Sequence, residues 1–381
     1  MQTLHSVLKR GLLVWDRREL SESIFHERLE LVQAAIAAAG HDAWIVYGDA
    51  QRYGDVAYLT HFLPRTRGAL ALVPRGGAST LLASVGPRDI PAAKVLTWVE
   101  DIRPFTRLPA RLAELLRERG LERGRIGRVG LDESLGIDDW EELRRLLPDV
   151  RWEETDGALM RLRLLKAPEE ITILRRCGAI VREGLDRAAK LLQPGVSERK
   201  LCAAVDRELR YMGAEDTRLL SASGERVGTG LAPPDDRALN PGDVLLLHVA
   251  VQYQRYWAEA GQTYVLGPAG GEARALARTA HEALTAMTAA ARPGVTSGAV
   301  AAAARAALRR SDLKEAADAY GLGHGIGLDL EEPPYVRDDD ATRLAEGMTL
   351  ALHVVLHDRG GAGALTGQTV LIGRTGVEPL T

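Results

Sequence analysis

The sequence is short of several features that mark specialised proteins. Of its 381 residues only two are cysteines, Cys177 and Cys202. Two thiols build neither a zinc cluster nor a disulfide framework, so they read as core residues of a reducing compartment. Neither sign of charge is in excess: 49 basic against 52 acidic side chains leave a net charge of -3. That balance gives no electrostatic reason to expect nucleic acid as a partner. No apolar run approaches the roughly 18 residues that span a membrane, so no membrane association is expected. The opening stretch MQTLHSVLKRGLLVWDRREL lacks the long apolar segment of a signal peptide. The expected location is cytoplasmic. What is present is ordinary for a globular protein, with 46% hydrophobic and 27% charged residues. The length allows two domains.

Strand-like and helix-like pieces alternate in the first part. HERLELVQAAIAAAG predicts an amphipathic helix ending at Gly40, followed by a buried strand from Ala43 to Tyr47. GALALVPR and STLLASV predict further strands, and LPARLAELLRERG a helix with a glycine stop. Such alternation implies an α/β layer. Near Ala158 the pattern changes, and a helix start is expected at Pro168 with Glu169 and Glu170 in its first turn. The domains are therefore expected at 1–160 and 161–381.

The second part is internally duplicated. QPGVSERKLCAAVDRELRYMG, from Gln193, matches RPGVTSGAVAAAARAALRRSD, from Arg292. Each has Pro-Gly-Val, then a Ser or Thr able to cap, then a helix. Downstream, PGDVLLLHV from Pro241 matches EGMTLALHV from Glu346, aligning Gly242 with Gly347 and His248 with His353. A half made of a helix and then strands, copied once, predicts a pseudo-twofold arrangement.

Period-2 reading assigns the strand faces. In VLLLHVAVQ the apolar face is Leu245, Leu247, Val249 and Val251, which leaves His248 opposite. In TLALHVVLHD it is Leu350, Leu352, Val354 and Leu356, which leaves His353 and His357 opposite. A tight turn at Tyr253 and Gln254 would bring the chain back with Glu259 directly across from His248. In GHGIGLDLEEPP, His324 sits between glycines that allow close backbone approach, and Glu331 and Glu332 follow. His248, Glu259, His324, Glu331 and His353 are thus the candidate catalytic residues. Tyr256, Trp257, Glu332 and His357 are candidate substrate contacts.

NPGDVLLLHVAVQYQRYWAEAGQTYVLG, GHGIGLDLEEPPYV, EGMTLALHV and GQTVLIGRTGVEPLT, in that order, resemble the pita-bread superfamily of Xaa-Pro aminopeptidases, prolidases, creatinase and their relatives. The first part resembles the creatinase-type N-terminal domain, and LRLLKAPEEITILRRCGAI the entry to the catalytic domain. The resemblance implies an α/β (α+β) architecture, with a creatinase-like N-terminal domain followed by a pita-bread domain, and a homodimer. It also implies two divalent metals held by two aspartates, one histidine and two glutamates. Those positions carry His248, Glu259, His324, His353 and Gly367 here, while Glu331 and Leu231 replace two further histidines. The expectation is therefore a non-peptidase enzyme acting on a small nitrogen-containing metabolite. Its reaction would be acid/base C–N bond hydrolysis or a related rearrangement, cyclisation or elimination, without the dinuclear metal centre and with no cofactor favoured. The alternatives are a single zinc, iron or manganese ion held by Glu259, His324 and His353 with His248 nearby, or a catalytically dead binding module.

Overall fold

The computed structural model describes residues 13–64, 67–268, 270–310, 321–357 and 362–381. Most of the opening stretch read above for a signal peptide lies outside the described residues. The chain forms two compact units, Met1–Arg163 and Leu164–Thr381.

The first unit is built on a six-stranded sheet. Its strands are β1 (Ala43–Asp49), β2 (Gly68–Pro74), β3 (Thr80–Ala83), β4 (Asp101–Pro104), β5 (Arg125–Val129) and β6 (Arg151–Glu154), in the order β4-β3-β2-β1-β5-β6. β1 runs antiparallel to β2 but parallel to β5. The helix Leu108–Glu118 presses Leu112, Leu115 and Leu116 against Ile45, Leu70 and Leu82 of this sheet. These continuous apolar strands are buried on both faces, as their composition requires.

The second unit carries an eight-stranded sheet: β7 (Asp216–Ser223), β8 (Val244–Tyr253), β9 (Tyr256–Val265), β10 (Gly323–Gly325), β11 (Glu332–Tyr335), β12 (Thr349–His357), β13 (Gly363–Ile372) and β14 (Val377–Pro379). The order is β11-β10-β12-β13-β9-β8-β7, with β14 beside β13. The duplication is visible in hydrogen bonds. Ser197 caps the helix Glu198–Tyr211 and Thr296 caps Ser297–Leu308. The Gly195 N–H donates to Leu239, and the Gly294 N–H donates to Leu344, at 2.8 Å each. Gly242 and Gly347 hold φ of 92° and 91°, a left-handed conformation that glycine adopts without strain. The helices Gly271–Ala290 and Ser297–Leu308 pack on Leu350, Leu352, Val354 and Leu356. The apolar faces assigned from alternation are therefore the buried ones.

The turn between β8 and β9 differs from expectation. It is formed by Gln254 and Arg255, both at positive φ (47° and 71°), the backbone of a two-residue hairpin turn that usually calls on Asn or Gly. Buried Arg255 is held by Glu215: its N–H donates to the carboxylate at 2.9 Å, and its guanidinium pairs with the same group. This support replaces the usual turn residues. The register becomes His248 opposite Gly261, with Glu259 opposite Ala250.

The halves meet where β9 lies beside β13, and there Gly261 opposes Gly367. Two threonines clasp this seam reciprocally. The Thr369 hydroxyl accepts from the Glu259 N–H at 2.9 Å and donates to the Glu259 carbonyl at 2.8 Å. The Thr263 hydroxyl does the same with Leu365, at 2.7 and 2.8 Å. Side chains thus satisfy backbone groups that a ladder would otherwise pair.

Candidate functional site

The site is laid out in rows across the face of the second sheet turned away from the helices. Neighbours in the register share a face, so one row reads Leu220, His248, Gly261, Gly367, His353 from β7 to β12. The adjacent row contains Arg218, Ala250 and Glu259, then Thr369, Ala351 and His324. On the other side Ala222, Leu246, Leu365 and Val355 form a buried apolar cluster with Val227, and Leu231 packs against it.

Glu259 is the hub. Its carboxylate lies 3.3 Å from His248 Nε2, 3.7 Å from His324 Nε2 and 3.8 Å from His353 Nδ1. It is diagonal to His248 rather than directly opposite, a consequence of the moved turn, yet the two side chains still meet. Burial pushes the Glu259 carboxyl upward. The His248 hydrogen bond and the charges of all three imidazoles outweigh this and lower it to about 2. Glu259 is therefore an anion throughout the range in which proteins work.

The ring nitrogens have assignable roles. His324 Nδ1 donates to the Gly325 carbonyl at 3.0 Å, which leaves the Nε2 lone pair facing Glu259. His248 Nδ1 is buried without a hydrogen-bond partner among the described residues. The tautomer with the proton on Nε2, donated to Glu259, avoids burying an unpaired N–H. The His324 and His353 rings meet edge-on with centroids 5.6 Å apart.

This donor set fits a metal ion. Glu259, His324 and His353 each offer one ligand atom, all within 4.8 Å of one another. Tetrahedral ligands at about 2.0–2.1 Å from zinc stand roughly 3.4 Å apart, so distances of 3.7 and 3.8 Å close by small side-chain rotations. Two imidazoles and a carboxylate suit zinc, iron or manganese better than magnesium. His248, on the second carboxylate oxygen, would orient Glu259 from behind were it to ligate an ion.

Other expected residues lie elsewhere. Tyr256 faces the opposite side of β9, buried, with its hydroxyl donating to Glu170 at 3.0 Å. Strand alternation places it against the helix Pro168–Leu191, away from the cluster. Glu332 is buried and ion-paired with Lys166 at 2.7 Å, a structural role rather than a substrate contact. Glu331 precedes it, just ahead of β11. It is exposed and makes no hydrogen bond or ion pair among the described residues. His357 shares the face of His353 but lies four residues along β12, roughly 13 Å away at strand rise. Trp257 does lie on the site face, with the Arg218 guanidinium 5.4 Å from its ring centroid. Arg218 and Thr369 went unnoticed in the sequence. The signal for Thr369 was there: Gly-Gln-Thr occurs at 261–263 and again at 367–369.

Fold and site together define a pita-bread protein with an acid–imidazole cluster at its pseudo-twofold seam. The sequence matches metallopeptidase family M24 over residues 172–374 and the creatinase/prolidase N-terminal domain over residues 28–165. The chain belongs to family M24. It is 26% identical to a Xaa-Pro dipeptidase of Pyrococcus horikoshii over 66% of this chain and 72% of the relative. It is 27% identical to a probable dipeptidase PepE of Mycobacterium tuberculosis over 94% and 95%. The fold superimposes on the X-Pro aminopeptidase structure from Thermotoga maritima with a TM-score of 0.85 at 21% identity, covering 93% of this chain and 97% of that one. The Pyrococcus horikoshii prolidase structure gives 0.82 at 23% identity, covering 93% and 98%. Among the described residues no helix is long and apolar enough to cross a membrane.

Proposed function

We propose that this chain is a metal-dependent hydrolase that cleaves a C–N bond in a small amide or dipeptide-like substrate, using one divalent transition-metal ion. The observation that carries this reading is the convergence of one Glu259, one His324 and one His353 ligand atom within 4.8 Å. The relatives named as dipeptidases support the reaction class. The metal-free alternative rests on the 3.3 Å His248–Glu259 pair, which the metal reading also explains as an orienting contact.

When bound, the ion would supply Lewis-acid polarisation of a carbonyl. The residues supply the rest. His248 fixes Glu259 through its Nε2–H, and the Gly325 carbonyl fixes the His324 tautomer. Gly367 contributes no ligand atom and lets the His353 side chain pack close against it: a Cβ there would lie 2.9 Å from the His353 Cβ. The apolar wall of Leu246, Val355 and Leu365 keeps water from one side of the groove.

Metal content by elemental analysis after incubation with zinc, manganese or cobalt tests the proposal, together with hydrolysis of a panel of Xaa-Pro dipeptides and N-acyl amino acids. One ion per chain is expected, lost in Glu259→Gln and in His324→Ala, with activity abolished by chelation. Activity that survives complete metal removal would return the reading to metal-free acid/base catalysis. Two tightly held ions per chain would contradict a single centre.

A further inference from the structure

Arg218 stands out among the residues of the site face that the cluster does not use. It is exposed on β7 and shares a row with Ala250 and Glu259. At strand spacings of about 4.8 Å its backbone lies roughly 10 Å from that of Glu259. Between them stands only Ala250, a buried residue whose methyl group is the only side-chain bulk separating the two positions in the row. The guanidinium does not drift into solvent: it is drawn over the Trp257 ring, 5.4 Å from the centroid. The Trp257 backbone in turn is tied to the His324 segment, its main-chain N–H donating to the Gly327 carbonyl at 2.7 Å. Arg218 has no acidic partner among the described residues. The nearest acid on its own strand face, Asp216, lies 3.6 Å from Arg210 instead.

A cation held against an indole, with its hydrogen-bonding edge uncommitted, is arranged to receive an anion. We infer that Arg218 and Trp257 form a subsite for an anionic group of the substrate, a carboxylate or a phosphate, across Ala250 from the Glu259–His324–His353 centre. This rests on reading that centre as a metal site. It specifies the substrate further: a short molecule with a metal-seeking carbonyl at one end and an anion at the other. Arg218 is thereby a specificity-determining residue. Its planar fork suits a carboxylate or phosphate edge in a way that a lysine does not.

The test uses the full-length protein loaded with cobalt and three hydroxamates, with binding read from the cobalt absorption spectrum and from calorimetry. Acetohydroxamate has no anionic tail, succinate monohydroxamate carries a carboxylate, and phosphonoacetohydroxamate carries a phosphonate. At least one tailed probe is expected to bind about tenfold or more tightly than acetohydroxamate, and the better of the two identifies the anion. The preference should collapse towards parity in Arg218→Met, be retained in part in Arg218→Lys, and reverse in Arg218→Glu. Circular dichroism verifies that the variants fold. Equal binding of all three probes to the wild type, or a preference that persists in Arg218→Met, overturns the subsite and leaves the metal centre standing. A cobalt spectrum that none of the hydroxamates perturbs overturns the metal reading and the subsite with it.

Discussion

At the scale of single residues, the cluster depends on groups that do not themselves touch a metal. His248 donates to Glu259, so His248→Ala should weaken metal affinity about 10–100-fold without abolishing it, measured by competition with a chromophoric chelator. An affinity that does not change would remove His248 from the site. Gly367 sits against His353, and a Cβ there would also come within 3.2 Å of the Leu352 carbonyl. Gly367→Ala should therefore displace the imidazole and loosen the same ion, seen as a changed cobalt spectrum. Part of this was legible in the sequence. His324 announced itself through its flanking glycines, and His248 and His353 through their repeat-equivalent positions. Glu332 was misjudged because its partner Lys166 lies 166 residues away, and no local pattern carries such a contact. Its removal should be costly. Lys166→Met takes the cation away from a buried carboxylate and should destabilise the protein by about 3–5 kcal/mol, measured by urea denaturation, whereas loss of an exposed pair costs about 1 kcal/mol or less.

At the scale of elements, alternation along β8 and β12 decided which face became core and which became site. The two faces of β12 should respond differently. Leu352→Ala opens a cavity beneath the helices and should cost about 2–5 kcal/mol, while its neighbour His353→Ala removes metal binding. Parallel urea and metal titrations separate the two effects. The register was less legible. Gln254 and Arg255 carry no recognised turn signature, and the carboxylate that stabilises them comes from Glu215, ahead of β7. A one-residue error in the turn moved the expected partner of His248 from Gly261 to Glu259. The threonine clasp at the seam was not anticipated either, although Gly-Gln-Thr is written twice. Thr369 satisfies both the N–H and the carbonyl of Glu259. Thr369→Val strands the buried Glu259 N–H, while the carbonyl keeps its bond from the Thr381 hydroxyl at 3.4 Å, and should cost about 1–3 kcal/mol, with Thr369→Ser restoring most of the loss.

At the scale of the whole molecule, the carboxylates set the response to acid. Hydrogen bonds from Arg125 hold Glu153 down to about 2. Arg103 and Arg175 likewise hold Glu118 and Glu378 below the ordinary range. A carboxyl lowered in the folded state stabilises fully above its unfolded value, about 4.3. That contribution is lost as the pH falls through the folded value. The urea midpoint should therefore be level near neutrality and fall from about pH 5 towards pH 2, less steeply in Glu153→Gln; a midpoint constant between pH 5 and 3 would refute this. The general plan of two units, the second duplicated, was readable from strand–helix alternation and the repeat. The relation of its halves also makes the face around the seam asymmetric. Gly261 answers Gly367 across the seam and Thr263 answers Thr369, and the same step pairs Glu259 with Leu365. Two identical chains assembled about an axis would have to carry the same side chain at both places. Joined in one polypeptide, one place became a charge and the other a hydrocarbon. The face around the seam therefore has a head and a tail, with the Glu259 carboxylate on one side and the Leu365 hydrocarbon on the other.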